Sequence, residues 1–179
     1  MDKPVVFHYF DFYGRGESIR IALQYFGIEY TEKSIKHRVI HGEEFAEEWD
    51  SQRSNYEFAS LPVLEIDGLV LSQSRCILRY LFQRQGKYPE EPYGIYRLES
   101  LVDLYADIET GLVDSFYSGS DEKLKEYMGG PFVERMGFVN DRLKANFCQD
   151  FLCGDTLSMV DVLFCNLRFS FFNHPDPKK

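Results

Sequence analysis

The feature that most constrains the fold of this chain is an apolar hairpin followed at once by a helix. Residues 61–71 contain two short apolar segments around Asp67-Gly68, a pair suited to the positive φ angles of a two-residue hairpin turn. Ser72 then stands before a run with helical periodicity that extends to about Gln85. The pattern therefore predicts a β-hairpin whose second strand leads into a helix capped by Ser72.

The start of this helix is a candidate anion site. The backbone N–H groups of Gln73 and Ser74 would lie in its first turn, where helices leave N–H donors unpaired. These donors and the helix dipole together attract a carboxylate or a phosphate. The alternative interpretation is that the hairpin and the helix only pack together.

Composition and charge limit the function classes. The chain has 179 residues, enough for one domain or two small ones, and its formal net charge of −9 argues against a nucleic-acid-binding surface. It has no apolar run of membrane-spanning length, and it begins without a signal peptide. We therefore expect a cytoplasmic protein that binds neither nucleic acid nor membrane.

The four cysteines favour neither a metal site nor a disulfide. They form no CxxC pair, and their spacing with the histidines matches no zinc site. Cys76 and Cys165 lie within apolar helical runs, which predicts that both are small buried hydrophobic residues. Cys148 and Cys153 are close in sequence, but reduced thiols are expected in a cytosolic chain.

The first 35 residues predict a β-α-β unit. Aromatic and β-branched side chains make residues 5–10 a strand, residues 14–16 interrupt it, and a helix follows that ends at Gly27. Residues 28–35 form a second strand, parallel to the first if the crossover is right-handed. An acidic helix over residues 41–54 then leads to the hairpin and its helix, which gives the order β-α-β-α-β-β-α.

A linker and a change of pattern divide the chain. Residues 87–94 contain prolines and a glycine without periodicity, and beyond them the spacing of apolar residues is helical. Ser158 and Asp161 fit the capping pattern of a late helix. We predict an α/β domain at 1–86, a linker at 87–94 and an all-helical C-terminal domain at 95–179.

The order of these elements and several short motifs resemble the cytosolic glutathione transferases. The motifs are Tyr9-Phe10, Gly14-Arg15-Gly16-Glu17, Pro62-Val63-Leu64 and Gln73-Ser74. The likeness is to the tyrosine-type classes, and within them to the sigma class of glutathione-dependent prostaglandin D synthases and lens S-crystallins. The resemblance implies a thioredoxin-like N-terminal domain, an all-helical C-terminal domain, and glutathione as the co-substrate without a metal.

The resemblance assigns the catalytic role to Tyr9. A phenol O–H donates a stronger hydrogen bond to a thiolate than to a thiol, so it favours the ionised thiol of glutathione and lowers its pKa. Arg15 would add a positive charge near the same sulfur. The nucleophile then belongs to the bound tripeptide, and the protein needs no cysteine. The alternatives are that Tyr9 is a packed strand residue and that Tyr13 supplies the hydroxyl.

The resemblance also implies a set of glutathione-binding residues. Trp49 and Arg53, one helical turn apart, would donate to the glycyl carboxylate, unless Trp49 only fills the core. Leu61 would bond the cysteinyl backbone and precede a cis bond to Pro62. The helix start after the hairpin would hold the γ-glutamyl carboxylate. The full set implied is Phe10, Arg15, Trp49, Arg53, Ser60, Leu61, Pro62, Gln73 and Ser74.

Several positions depart from the family pattern. Residues 36–42 add length before Trp49, and Ser60 stands where a longer polar side chain is common. Gly111 falls where the family usually has an aspartate that reaches into the neighbouring subunit. The chain ends soon after Pro175, whereas family members usually continue with helices that cover the hydrophobic-substrate pocket. We therefore expect a shortened C-terminus.

The family resemblance implies a homodimer. Phe58 stands where several classes carry an aromatic side chain that inserts into the partner subunit, and an ordinary core phenylalanine is the alternative.

The leading hypothesis is a transferase that conjugates the glutathione thiolate to small hydrophobic electrophiles. Candidate walls of the cleft are Phe10, Tyr13, Tyr105 and Ile108. Glutathione-dependent prostaglandin isomerisation is a further activity that the resemblance allows. The alternative hypothesis is a non-catalytic glutathione-binding or structural relative, similar to the S-crystallins. A redox thioltransferase is disfavoured because residues 9–16 contain no cysteine.

Overall fold

The structure is a computed structural model, and it describes residues 4–147 and 150–172. The chain forms two compact units, one of Met1–Lys87 with Cys165–Lys179 and one of Tyr88–Phe164. The division of the sequence into functional domains at 1–86 and 95–179 stays a proposal.

The first unit contains a four-stranded mixed sheet. Its strands are β1 (Val6–Phe10), β2 (Thr31–Ile35), β3 (Val63–Ile66) and β4 (Leu69–Ser72). They lie in the order β2-β1-β3-β4, with β1 parallel to β2 and with β3 antiparallel to both of its neighbours. The helices beside the sheet are α1 (Glu17–Tyr25) and α4 (Ser74–Arg84). This arrangement confirms the predicted thioredoxin-like fold.

Two turns of this unit form where the sequence predicts them. Asp67 and Gly68 have φ angles of 53° and 81°, as the hairpin between β3 and β4 requires. Gly27 has a φ of 63° just after α1, and Ile28 N–H donates to the Leu23 carbonyl to close the helix end. Both turns depend on local backbone conformation, which is why the sequence alone predicts them.

The predicted helix over residues 41–54 is wrong as a continuous element. The segment folds as α2 (Arg38–His41), α3 (Ala46–Asp50) and short 3₁₀ turns at Glu43–Phe45 and Arg53–Asn55. Gly42 separates α2 from the next turn with a φ of 113°, a conformation that no helix contains. After Gly42 the segment is divided again, because α3 ends at Asp50 and a separate turn follows at Arg53–Asn55.

The predicted N-cap at Ser72 is also wrong. Ser72 is the last residue of β4, paired with Val63, and its backbone belongs to the sheet. The chain turns at Gln73, which has a φ of 71° and occupies the N-cap position without a side-chain cap, and α4 begins at Ser74. Because Ser72 is paired within the sheet, it does not serve as the N-cap of α4.

The second unit is helical in the described residues. Its helices are α5 (Pro92–Tyr117), α6 (Asp121–Gly129), α7 (Pro131–Ala145) and the start of α8 (Met159–Leu167), which continues into the π-helical turn Arg168–Phe172. The Asp161 carboxylate accepts from the backbone N–H of Ser158 at 2.8 Å, which confirms the predicted capping pattern. Tyr105 and Ile108 are 2% and 0% exposed, so the prediction that they line a cleft is wrong.

Packing explains the glycine at position 111. A Cβ atom on Gly111 would collide with the ring of Tyr127, whose hydroxyl donates to the Ile108 carbonyl at 3.0 Å. The absence of a side chain lets α6 approach α5 closely. The departure from the family aspartate is therefore a requirement of this pairing.

The predicted burial of Cys76 and Cys165 is wrong, because both are exposed. On α4 the core takes Ile77, Leu78 and Leu81, which leaves Cys76 on the outer face. Cys148 lies outside the described residues.

Candidate functional site

Tyr9 lies near the end of β1, and the turn that follows folds back onto its hydroxyl. The side chain is 4% exposed. The backbone N–H of Arg15, at the centre of the 3₁₀ turn Gly14–Gly16, donates to Tyr9 Oη at 2.8 Å. A hydroxyl that accepts one hydrogen bond still has its own proton to donate. The turn therefore fixes the oxygen and leaves the proton for a ligand.

The two glycines of this turn are necessary for the close approach. A Cβ atom on Gly14 would lie 2.6 Å from Tyr9 Oη, and Gly14 has a φ of 41°. A Cβ atom on Gly16 would lie within 2.7 Å of three ring atoms of the same tyrosine. No other residue type fits between these backbone atoms and Tyr9. The Gly-Arg-Gly motif is thus a socket for one side chain.

The electrostatic setting keeps the Tyr9 hydroxyl protonated. Burial raises the pKa of Tyr9 to about 12, and the backbone N–H groups of Arg15 and Gly16 offset part of that rise. The charges of Arg15 and Arg20 act in the same direction as these N–H groups. At neutral pH the group is therefore protonated and can act as a hydrogen-bond donor.

The rival hydroxyl of Tyr13 lies in a different setting. Tyr13 is 37% exposed, and its ring centroid lies 6.4 Å from that of Phe169 in the segment after α8. In the same place Ser170 Oγ donates to the Gly14 carbonyl at 3.2 Å. Burial and the backbone contact single out Tyr9 as the better-fixed donor of the two.

Phe10, the last residue of β1, meets Trp49. The centroids of these two rings are 5.2 Å apart and the rings are nearly perpendicular, while the rings of His37 and Tyr9 lie 4.4 Å and 5.6 Å from Phe10. Burial and the nearby charges of Arg38 and His41 lower the pKa of His37, which keeps its imidazole neutral. The structure thus brings the predicted residues Phe10 and Trp49 together within an aromatic cluster.

Arg53 does not share this arrangement. Because α3 ends at Asp50, Arg53 begins a separate 3₁₀ turn and is not one helical turn beyond Trp49 on the same face. Its side chain is 53% exposed and lies 3.8 Å from the Asp50 carboxylate. The prediction that the two residues share a helix face is wrong, because they lie on two separate short elements.

The remaining predicted residues lie side by side at one end of the sheet, across the ends of three neighbouring strands. His8 pairs with Val63, and Val63 pairs with Ser72, so Tyr9, Pro62 and Gln73 each lie one residue beyond the same row. Strands are spaced about 4.8 Å apart, so these positions span roughly 10 Å, about the length of an extended tripeptide. The site is therefore built where β1 ends, β3 begins and β4 ends.

At this end of the sheet, the peptide bond before β3 has the predicted cis conformation. The Leu61–Pro62 bond is cis, as predicted, and Ser60 before it is extended and half-buried. Leu61 is half-buried in front of the strand, with Pro62 buried behind it. A segment of this kind can present the Leu61 backbone to an extended ligand.

The start of α4 is the candidate anion-binding end of this row. Ser74 is the first helical residue and is half-buried, and Gln73 before it is exposed. Among the buried side-chain oxygens and nitrogens of residues 4–147 and 150–172, Ser72 Oγ makes no hydrogen bond. The first N–H groups of α4 and the hydroxyls of Ser72 and Ser74 thus lie at the same end of the sheet as Tyr9.

Sequence analysis missed several side chains that shape the site. The ring centroids of Tyr56 and Trp49 are 5.8 Å apart, and the Tyr56 hydroxyl lies 3.2 Å from Nδ1 of His8. The other ring nitrogen of His8, Nε2, lies 2.7 Å from Glu65 Oε1. Arg20 under Tyr9 was missed as well, although its spacing to Glu17 was a visible signal of an ion pair. These contacts join residues far apart in sequence, which local patterns do not reveal.

The part of the chain that the structure describes contains no cluster of three or more His, Cys, Asp or Glu side chains that could hold a metal ion. It also contains no helix that is long and apolar enough to cross a membrane.

Known proteins resemble this chain over most of its length. The sequence model of the family "Glutathione S-transferase, N-terminal domain" matches residues 5–83. Human glutathione S-transferase A2 is 30% identical over 176 residues, which cover 94% of this chain and 73% of the relative. A Nu-class GST from Haemonchus contortus has a TM-score of 0.77 at 26% identity, over 96% of this chain and 83% of that one. A prostaglandin synthase D of Nilaparvata lugens has a TM-score of 0.76 at 25% identity, over 92% and 80%.

These similarities include the candidate site itself. The matched family region contains every residue of the row from Tyr9 to Ser74. The human relative extends the likeness through the helical unit. The chain therefore belongs to the glutathione S-transferase family, whose members are enzymes that use glutathione as a substrate.

Proposed function

We propose that the protein conjugates glutathione to small hydrophobic electrophiles and that Tyr9 ionises the glutathione thiol. The observation that carries this proposal is the buried, protonated Tyr9 hydroxyl, which accepts a hydrogen bond from the Arg15 N–H. It lies at the end of the sheet where β1 and β4 end and β3 begins. The thiol loses its proton to solvent, and the Tyr9 O–H donates to the sulfur and stabilises the thiolate. With an aryl halide, a sulfur lone pair forms the S–C bond and the halide leaves with its bonding pair.

Glutathione would lie across the ends of β1, β3 and β4. The γ-glutamyl carboxylate would meet Ser74 and the backbone N–H groups at the start of α4, and the cysteinyl backbone would bond Leu61. Trp49 would donate its indole N–H to the glycyl carboxylate. Gln73, Phe10, Arg15, Arg53, Ser60 and Pro62 complete the proposed set. The spacing of the row and the local donors support this placement in a chain whose net charge is −9.

Replacing Tyr9 by Phe tests the catalytic role. We expect glutathione affinity within a few fold of wild type and a fall in aryl-halide conjugation of roughly ten- to a hundredfold, because the lost bond acts on the thiolate. Tyr13→Phe is the matched control, and it should conjugate at the wild-type rate. Binding without turnover in the wild type itself would favour the non-catalytic, S-crystallin-like alternative.

Prostaglandin isomerisation is the second candidate activity. The observation in its favour is the likeness to the prostaglandin synthase D of Nilaparvata lugens, which also supports a place in the sigma class. The reaction uses the same thiolate, so Tyr9→Phe should lower its rate together with that of conjugation. Incubating the wild type with a prostaglandin endoperoxide and glutathione, and measuring the D-type product, decides between one activity and two.

We also propose that the protein is a cytoplasmic homodimer. Phe58 is 66% exposed with a φ of 60°, which contradicts the core alternative, and Leu69 and Val70 of the edge strand are exposed as well. Such an apolar surface suits a second copy of the chain. The free thiols of Cys76, Cys153 and Cys165 suit a reducing compartment. Phe58→Ser should convert a dimer to monomers in sedimentation equilibrium.

A further inference from the structure

The guanidinium of Arg20 lies under the catalytic turn, between two carboxylates. Its Nε is 3.1 Å from both Glu32 carboxylate oxygens, and one terminal nitrogen is 2.6 Å from Glu32 Oε1. The other terminal nitrogen is 2.9 Å from Glu17 Oε2. The side chain of Arg20 is 16% exposed, so these ion pairs are largely shielded from water. Arg20 is therefore held in one orientation by charges on α1 and β2.

In that orientation Arg20 also donates to the backbone of the turn after β1. Its terminal nitrogens bond the Phe12 carbonyl at 3.1 Å and the Phe10 carbonyl at 3.2 Å. The same group lies 5.6 Å from the ring centroids of Phe7 and Tyr9. One side chain thus touches the strand that carries Tyr9 and the loop that returns to it.

The turn meets Tyr9 through the Arg15 and Gly16 N–H groups and through the packing of Gly14 and Gly16 against its side chain. Residues 10–13 lead from the strand to the 3₁₀ turn, and the position of the Arg15 N–H depends on where their backbone lies. A guanidinium presents five N–H donors in a fixed plane and can bond two carboxylates and two carbonyls at once. A lysine ammonium has the same charge but cannot span all four groups.

We propose that Arg20 is a positioning residue for the transferase reaction: it fixes residues 10–13 so that the Arg15 N–H holds the Tyr9 hydroxyl against the sulfur. The inference rests on the proposed function of Tyr9. Arg20 itself contacts neither substrate nor the reacting atoms. Its effect is on the orientation of the donor, and therefore on the ionisation of the bound thiol.

Four variants separate geometry from charge. Arg20→Lys retains the charge and loses the fork, while Arg20→Met loses both. Arg84→Lys and Arg84→Met are the matched controls, because Arg84 forms a bidentate pair with Asp67 at 2.6 and 2.9 Å in the same unit, at the hairpin turn. Three quantities are measured for each: the pH profile of kcat/KM for an aryl halide, the glutathione Kd, and the hydrogen exchange of the Arg15 amide.

Both Arg20 variants should behave alike if geometry matters. We expect kcat/KM to fall at least about tenfold and its pH profile to move up by roughly one unit, with the Kd within about threefold of wild type. The Arg15 amide should lose its protection, and the Arg84 variants should match wild type in all three quantities. Wild-type kcat/KM, pH profile and Arg15 protection in Arg20→Lys would overturn the proposal.

The exchange measurement also separates this inference from the function on which it rests. If the wild type does not conjugate, the proposed function fails, and Arg15 protection alone decides the role of Arg20. If Arg20→Met does not fold, Glu32→Gln replaces it, because that variant loosens the guanidinium and keeps Arg20. We expect the same changes at about two- to fivefold. Unchanged Arg15 exchange in both Glu32→Gln and Arg20→Lys would contradict the proposal.

Discussion

Tyr9 and Phe10, at the end of β1, carry the two halves of the candidate site, and their side chains are supported in different ways. Tyr9 is enclosed by the backbone of Gly14–Gly16 and by the Arg20 guanidinium. The ring of Phe10 is covered by the rings of His37 and Trp49, from a segment interrupted by turns. Backbone atoms and a paired guanidinium therefore fix Tyr9, whereas the ring of Phe10 is held by contacts with other side chains.

This difference predicts where substitutions are tolerated. Backbone atoms within van der Waals distance of Tyr9 leave no space for adjustment, so small changes there should be costly. The aromatic side chains around Phe10 can repack, and Arg53, in the turn after α3, is exposed. We therefore expect the step that ionises the thiol to be more sensitive to mutation than the binding of the glycyl end of glutathione.

The largest effect is expected for Gly16→Ala. The new methyl group would collide with the Tyr9 ring, so the strand or the turn must move. We expect a loss of about 1–3 kcal/mol in the free energy of unfolding and a fall in conjugation of at least about a hundredfold. Gly137→Ala in α7 is the control, because its Cβ meets nothing within 4 Å. Equal activity in the two variants, measured with urea melts alongside, would refute the socket around Tyr9.

A smaller effect is expected for Ser74→Ala. Losing a hydrogen bond to a carboxylate should weaken glutathione binding by about 1.5–3 kcal/mol, measured by calorimetric titration. Stability should change little, because Ser74 is not the N-cap of α4. Ser72→Ala is the comparison: its hydroxyl makes no hydrogen bond in the described structure, and its removal should not destabilise the helix. Wild-type affinity in Ser74→Ala would remove this residue from the site.

Arg53→Gln should have a smaller effect again. The exposed guanidinium is screened by water, so its loss should weaken glutathione binding by no more than about 1 kcal/mol and leave the pH profile of conjugation unchanged. Glutathione titration at two salt concentrations checks this. A loss above tenfold in affinity would show that the surroundings of Trp49 and Arg53 are as tightly organised as those of Tyr9.

The pH dependence of conjugation should show no loss from Tyr9 ionisation. Because burial raises the pKa of Tyr9 to about 12, the hydroxyl remains a donor as the pH rises through the usual tyrosine range. The rate should therefore rise as the thiol ionises and stay level to about pH 10, near the ordinary pKa of tyrosine. A fall that begins near pH 9, absent in Tyr9→Phe, would contradict the raised pKa.

The sequence predicted those parts that depend on local chemistry. The Asp67-Gly68 hairpin, the Gly27 helix end and the cis Leu61–Pro62 bond follow from residue types with few backbone options. The errors arose where distant parts decide. Ser72 pairs with Val63 in the sheet and therefore does not cap the helix. On α4, Ile77 is buried in the core, whereas Cys76 next to it is exposed.

The same division applies to the site. Tyr9, Arg15 and the helix start at Ser74 were visible as motifs, because short segments carry them. Arg20 was not, since its partners Glu32, Phe10 and Phe12 come together only through the β-α-β crossover. Likewise, the relation of Trp49 to Phe10 depends on the path of a segment that folds as several short helices and turns rather than as one helix.

The ultraviolet absorbance of the bound thiolate, titrated with pH, is the most direct test of the central claim. It reports the ionisation of the glutathione sulfur without any second substrate, in the wild type and in Tyr9→Phe. We predict that the thiol pKa in the wild type lies at least about one unit below its value in Tyr9→Phe, which corresponds to one charge-assisted hydrogen bond. The same thiol pKa in both proteins would show that the Tyr9 hydroxyl does not stabilise the thiolate.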